Sequence, residues 1–97
     1  MCVAVIGGMA RLERHYRLEA AQAGVELRVF NQSEANIGAK LKNVDAVLIF
    51  TNKVSHRARH EAVSVARTQN IPVFQYHSCG VCTLRNCLTC IKLSKEE

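Results

Sequence analysis

Four of the five cysteines in this chain fall between positions 79 and 90: Cys79 and Cys82, then Cys87 and Cys90, a C-x2-C-x4-C-x2-C array. Thiolates are soft ligands, and four of them can enclose one zinc ion or one iron–sulfur cluster. Zinc is the first expectation, because a tetrahedron of four thiolates needs no redox chemistry, and an iron–sulfur cluster is its main rival. Taken as two separate pairs, the same residues are dithiols that can close and open disulfides. Paired C-x2-C units are a strong zinc signal when ~15–20 residues separate them. Here the gap is four.

Helical projection sharpens the choice. On one continuous helix the four thiols would spread over one broad arc, with Leu84, Leu88 and Ile91 opposite. The cysteines would then avoid the apolar stripe, which disfavours reading them as plain structural thiols. A straight helix would also hold Cys79 and Cys90 ~16 Å apart along its axis. A single four-thiolate site therefore requires the chain to turn back within Thr83-Leu84-Arg85-Asn86. Otherwise each pair acts alone, as a dithiol or as half a metal site completed by a second chain. His77, two residues before the array, is a candidate ligand or a partner behind one. Arg85 and Lys92 are close in sequence and favour thiolate. Against a thioredoxin-like enzyme, the motif follows the last expected strand instead of an early one.

The elements that must position these residues alternate regularly. Val3-Ala4-Val5-Ile6 reads as a strand buried on both faces and ends at Gly7-Gly8. Residues 10–23 have helical periodicity, with Leu12, Tyr16, Ala20 and Ala23 on one face and Gly24 as a stop. Residues 26–30 read as a second strand, and Ser33 as the cap of a short helix over 34–41. Ala46-Val47-Leu48-Ile49-Phe50 is the clearest strand. Ser55 caps a further helix running to about Gln69, and Pro72-Val73-Phe74-Gln75 is the last strand. This order predicts an α/β fold: a small flavodoxin-like or Rossmann-like parallel sheet of four strands, order 2-1-3-4. Residues 1–76 form the α/β domain, and the Cys-rich segment 77–97 is expected to pack on it.

In such sheets ligands bind beyond the carboxyl ends of the strands. There Gly7, Gly8, Arg11, Lys53 and Ser55 make a candidate site for a small anionic ligand, phosphate or carboxylate, at two helix starts. The glycine pair is neither G-x-G-x-x-G nor a Walker-type loop, and any tight strand-to-helix turn also uses glycine. His56 and His60 stand four apart on one helical face, a further metal half-site or part of a dimer contact with Val63 and Arg67. Plain solvent exposure is the commoner reason for such histidines. Ala58, Ala62, Val65 and Ala66 form the core-facing stripe of that helix.

Composition bounds the function. Ninety-seven residues make one domain, and a chain this short gains from a bound metal or a homodimer partner. Hydrophobic residues are 48%, with five glycines and one proline, so the chain is neither disordered nor of low complexity. The net charge of +5 comes from cations spread along the chain, and tryptophan is absent. Nucleic-acid binding is therefore not expected. No apolar run approaches the ~20 residues that span a bilayer, and no signal peptide is evident. A cytoplasmic protein is expected, where clustered thiols serve metal or redox work more than structural disulfides. Cys2 reads as a small core residue.

Val5-Ile6-Gly7-Gly8 with Arg11, Tyr16 and Arg17, then Val44-Asp45-Ala46-Val47-Leu48-Ile49, Val54-Ser55-His56 and Ile71-Pro72-Val73-Phe74, carry a family likeness. Over residues 2–78 the chain resembles the bacterial family catalogued as domain of unknown function 2325. The resemblance implies a compact α/β domain and directs attention to Gly8, Arg11 and His56. The cysteine tail is not carried over from it. Histidine-ligated haem is a further alternative cofactor. The reading that joins these features is a metal-binding α/β module with a sensing or regulatory role. A thiol–disulfide switch and an anion- or nucleotide-binding domain are the alternatives, and no set of residues makes a catalytic constellation.

Overall fold

The computed structural model of the chain describes residues 1–30, 41, 43–77 and 80–96, and their side chains except at 10, 53 and 94–96. Four strands, β1 (Cys2–Gly7), β2 (Glu26–Phe30), β3 (Ala46–Phe50) and β4 (Val73–Tyr76), form one parallel sheet in the order β2-β1-β3-β4. Among the described residues three α-helices accompany it: α1 (Glu13–Gln22), α2 (His56–Thr68) and α3 (Val81–Glu96). The expected helix behind Ser33 lies outside the described residues apart from Leu41, which is buried.

The uninterrupted apolar runs of β1 and β3 follow from burial on both faces. Val3 and Val5 of β1 and Ala46, Leu48 and Phe50 of β3 face α1 and α3. Cys2, Ala4 and Ile6, with Val47 and Ile49, face Ala62 and Ala66 of α2. Successive residues of a strand point to opposite faces, so two distinct half-cores draw on one alternating pair of strands. Asp45 fastens the start of the central pair. Its carboxylate accepts the Cys2 N–H at 2.7 Å, and its own N–H donates to the Cys2 carbonyl at 2.7 Å.

Among the described residues, the ends of α1 and α2 close with Schellman geometry. After α1 the Val25 N–H donates to the Ala20 carbonyl, with Gly24 at φ +73°. After α2 the Ile71 N–H donates to the Ala66 carbonyl, with Asn70 at φ +58°. Only glycine and, less often, asparagine enter this region without a large penalty. Ser55 caps α2, its hydroxyl accepting the Ala58 N–H at 3.1 Å.

Most boundaries shift by a residue or more from expectation, and two of the shifts have a clear local cause. The first helix does not start at 10: residues Ala10–Leu12 form a 3-10 turn before α1 begins. The Leu12 side chain makes no cap hydrogen bond, and the chain tightens there, with Leu12 N–H donating to the Met9 carbonyl at 2.9 Å. The last strand starts one residue later than expected, because Pro72 has no N–H to give the ladder and contributes only its carbonyl, to Val47.

Candidate functional site

The C-terminal helix decides how the cysteines are arranged. α3 runs unbroken from Val81 to Glu96, so the chain does not turn back at Thr83-Leu84-Arg85-Asn86. That spacer has no glycine or proline, and Leu84 anchors it in the core at 0% exposure. Cys82 is exposed in the first turn, and eight residues of helical rise place Cys90 ~12 Å further along the axis. Cys79 lies outside the described residues.

The expectation that the cysteines avoid the apolar stripe is corrected at one position. Cys87 is 0% exposed and belongs to the same cluster as Leu84, Leu88 and Ile91. The sequence held the signal, since Cys87 stands three residues after Leu84 and four before Ile91, on the face they share. Cys90 is exposed, at the edge of that face.

Tyr76, the last residue of β4, completes this group and was not singled out from the sequence. Strand alternation turns Phe74 and Tyr76 toward α3. The Tyr76 hydroxyl lies close enough to the Cys87 and Cys90 sulfurs to interact with both. Burial pushes the Cys87 thiol up to about 12, the Tyr76 hydroxyl beside it offsetting only part of that cost and Cys90 adding to it. Burial also raises the Tyr76 phenol, reinforced by Cys87 and Cys90 beside it.

α3 is held to α1 by polar clasps as well as by its apolar face. Arg85 makes a bidentate pair with Glu19, at 2.6 and 3.0 Å, and Lys92 donates to the Ala23 carbonyl at the end of α1 at 2.7 Å. The hydrogen bonds from Arg85 hold the Glu19 carboxyl below its ordinary value. A groove of about 250 Å³ between the helices is bordered by these groups, which spend their hydrogen bonds on each other.

At the carboxyl edge of the sheet the glycine pair meets protein. A Cβ on Gly8 would lie 3.0 Å from Phe50 Cδ2 and 3.3 Å from two Tyr16 atoms, and both Gly7 and Gly8 have φ of +89°. Tyr16 and Phe50 pack with ring centroids 5.6 Å apart, and the Met9 N–H donates to the Tyr16 hydroxyl at 3.4 Å. Arg11 is exposed, its guanidinium 4.0 Å from the Met9 sulfur. The Ser55 hydroxyl is engaged in capping, and the Lys53 side chain lies outside the described ones. The close fit of Gly8 is a packing reason for glycine that holds with or without an anion.

His56, His60 and His77 are exposed, the first two in the opening turns of α2 and the third just after β4. Val63, placed with them on an outer face, instead packs partly buried against the α2 half-core. Among the described residues no three His, Cys, Asp or Glu side chains converge on a metal position.

The family model described as an uncharacterized protein conserved in bacteria matches residues 2–91. The chain belongs to the DUF2325 family. The match passes beyond the α/β portion and takes in all four clustered cysteines, extending the resemblance seen over residues 2–78. No curated protein matches this DUF2325 domain. Among solved structures, a de novo designed Rossmann-fold protein is similar, with a TM-score of 0.64 and 17% identity. The similarity covers 95% of this chain and 97% of the design. At that identity the likeness concerns the fold alone. No helix among the described residues of the DUF2325 domain is long and apolar enough to cross a membrane.

Proposed function

We propose that this DUF2325 domain is a small redox-responsive regulatory module, in which Cys79/Cys82 and Cys87/Cys90 work as two separate dithiols. The unbroken course of α3 carries the reading. It keeps Cys82 and Cys90 ~12 Å apart, too far to share one mononuclear site, while residues three apart on a helix are neighbours. Cys87 and Cys90, three apart on the helix, are thus a local unit, and the sequence pairs Cys82 with Cys79. Cys82 sits exposed in the first turn of the helix, open to an oxidant in solvent.

A second reading is favoured by the exposure of both Cys82 and Cys90. Thiols open on the surface can share a zinc ion or an iron–sulfur cluster with donors from a second copy of the chain. One preparation separates the two. Protein purified without oxygen is assayed for metal and free thiols, then titrated with glutathione buffers of increasing potential. The redox reading expects no stoichiometric metal, five titratable thiols and reversible loss of thiols in pairs. Bound zinc or iron, with loss of a dimer on chelation, would replace it with the shared-metal reading.

A further inference from the structure

We propose that Cys87, Cys90 and Tyr76 form a peroxide-responsive modification site, in which Cys90 is oxidised first, Cys87 closes the disulfide, and closure loosens α3 from the domain. The inference rests on the redox reading and gives the second cysteine pair its own roles. The two sulfurs differ in access: Cys90 is exposed, whereas Cys87 is fully buried among Leu84, Leu88 and Ile91. A hydroperoxide in solvent therefore meets Cys90. Burial keeps the Cys87 thiol protonated, which leaves it unmodified until an electrophile forms beside it.

The chemistry balances with a hydroperoxide as the oxidant. The Cys90 sulfur attacks one peroxide oxygen and the O–O bond breaks. Cys90 becomes a sulfenic acid, and the other oxygen leaves with the thiol proton, as water when the oxidant is hydrogen peroxide. The Cys87 sulfur then attacks the Cys90 sulfur. The S–S bond forms, the S–O bond breaks, and the departing hydroxide takes the Cys87 proton as a second water. Two thiols lose two electrons in total, and one peroxide is reduced. Tyr76 is a positioning residue for the second step, because its hydroxyl lies beside both sulfurs and favours the Cys87 thiolate as it forms.

Closure cannot leave the helix as it was. Residues three apart on a helix hold their Cβ atoms roughly 5–6 Å apart, and a disulfide needs about 3.5–4.5 Å. The turn must give by about 1–2 Å, and the Cys87 sulfur must swing out of the pocket it fills. The neighbouring Leu84, Leu88 and Ile91 form the apolar contact of α3 with the sheet and α1. Reduction by a thiol restores the packed helix.

The test uses the full chain carrying Cys79→Ser and Cys82→Ser, confirmed folded by circular dichroism, and stoichiometric hydrogen peroxide. Trypsin releases Cys87 and Cys90 on one peptide running from Asn86 to Lys92. The expected product is that peptide lighter by two hydrogens, restored by dithiothreitol, with a lower melting temperature before restoration. Cys87→Ser should leave a Cys90 sulfenic acid that dimedone traps, and Cys90→Ser should leave Cys87 unmodified. Tyr76→Phe should slow disulfide closure several-fold while dimedone-trapped Cys90 accumulates, a partition that a merely structural role would not produce. Cys90 over-oxidised beside a reduced Cys87, or a disulfide that leaves stability unchanged, overturns the proposal. The unsubstituted chain is treated in parallel. A Cys79–Cys82 disulfide there without Cys87–Cys90 sinks this inference alone, and no disulfide in either pair sinks the redox reading with it.

Discussion

Replacing Gly8 by alanine tests whether the glycine pair serves packing or a ligand. Two costs add at this position. At φ +89° a Cβ brings a left-handed penalty of roughly 1–2 kcal/mol. The new methyl would also stand 3.0 Å from Phe50 Cδ2 and 3.3 Å from Tyr16 Cε2 and Oη. Both rings are fully buried and packed on each other, so neither can swing aside, and overpacking of this kind costs about 1–3 kcal/mol. Reduced freedom of the unfolded chain returns about 0.4–1 kcal/mol. The net expectation is a loss of about 2–4 kcal/mol, a large share of the roughly 5–15 kcal/mol that a small domain has. Gly24→Ala is the matched control, since Gly24 has φ +73° and no atom within 4 Å of the position its Cβ would take. It should lose only about 1 kcal/mol. Urea denaturation of the three proteins, read by circular dichroism, measures both. If Gly8→Ala loses no more than Gly24→Ala, the packing argument is wrong. A Gly8→Ala variant of full stability that has lost a phosphate-induced rise in melting temperature would assign Gly8 to an anion site instead.

Three further outcomes follow from particular contacts. Asp45→Ala removes the charged acceptor of the Cys2 N–H and should cost about 1.5–3 kcal/mol in urea denaturation, with Asp45→Asn losing less. An unchanged midpoint would remove Asp45 as the fastening between β1 and β3. Because the folded Cys87 thiol is raised to about 12, the unfolded chain releases that proton first as pH rises through its ordinary range near 9. Stability should therefore fall between about pH 9 and 12, with Cys87 contributing a slope approaching ~1.4 kcal/mol per pH unit that Cys87→Ala removes; parallel pH profiles for the two proteins would refute this. The Glu19 carboxyl is held low by Arg85, so its contribution is present above the ordinary carboxylate range and is lost as pH falls through its lowered folded value. Acid-unfolding curves of the unsubstituted chain and Glu19→Gln should converge at low pH and separate toward neutrality. Curves that stay equally separated at every pH would show that the pair contributes nothing through ionisation.

The strand order, the two faces of β1 and β3, the Ser55 cap and the Gly24 stop were legible in the sequence for local reasons. Runs such as Ala46-Val47-Leu48-Ile49-Phe50 leave no polar face to expose, and alternating strands and helices permit few right-handed parallel arrangements. The Asn70 terminus is of the same local kind, yet asparagine also serves many loop positions and so announced nothing. The 3-10 entry to α1 was missed because periodicity marks which residues share a face and says little of where the first hydrogen-bonded turn closes.

The candidate site divides along the same line. Spacing alone pointed to residues 79–90 as the place for thiol chemistry and showed that a straight helix cannot gather all four sulfurs. Only tertiary structure decided that the helix stays straight, because Leu84 is committed to the core in the middle of the spacer. Only tertiary structure made the cysteines unequal, sending Cys87 inward with Leu84 and Ile91 and leaving Cys82 and Cys90 exposed. Tyr76 joins Cys87 and Cys90 from eleven and fourteen residues away in sequence, across the β4–α3 connection. No periodicity within one element reports such a meeting, since it depends on how a helix is laid across a strand.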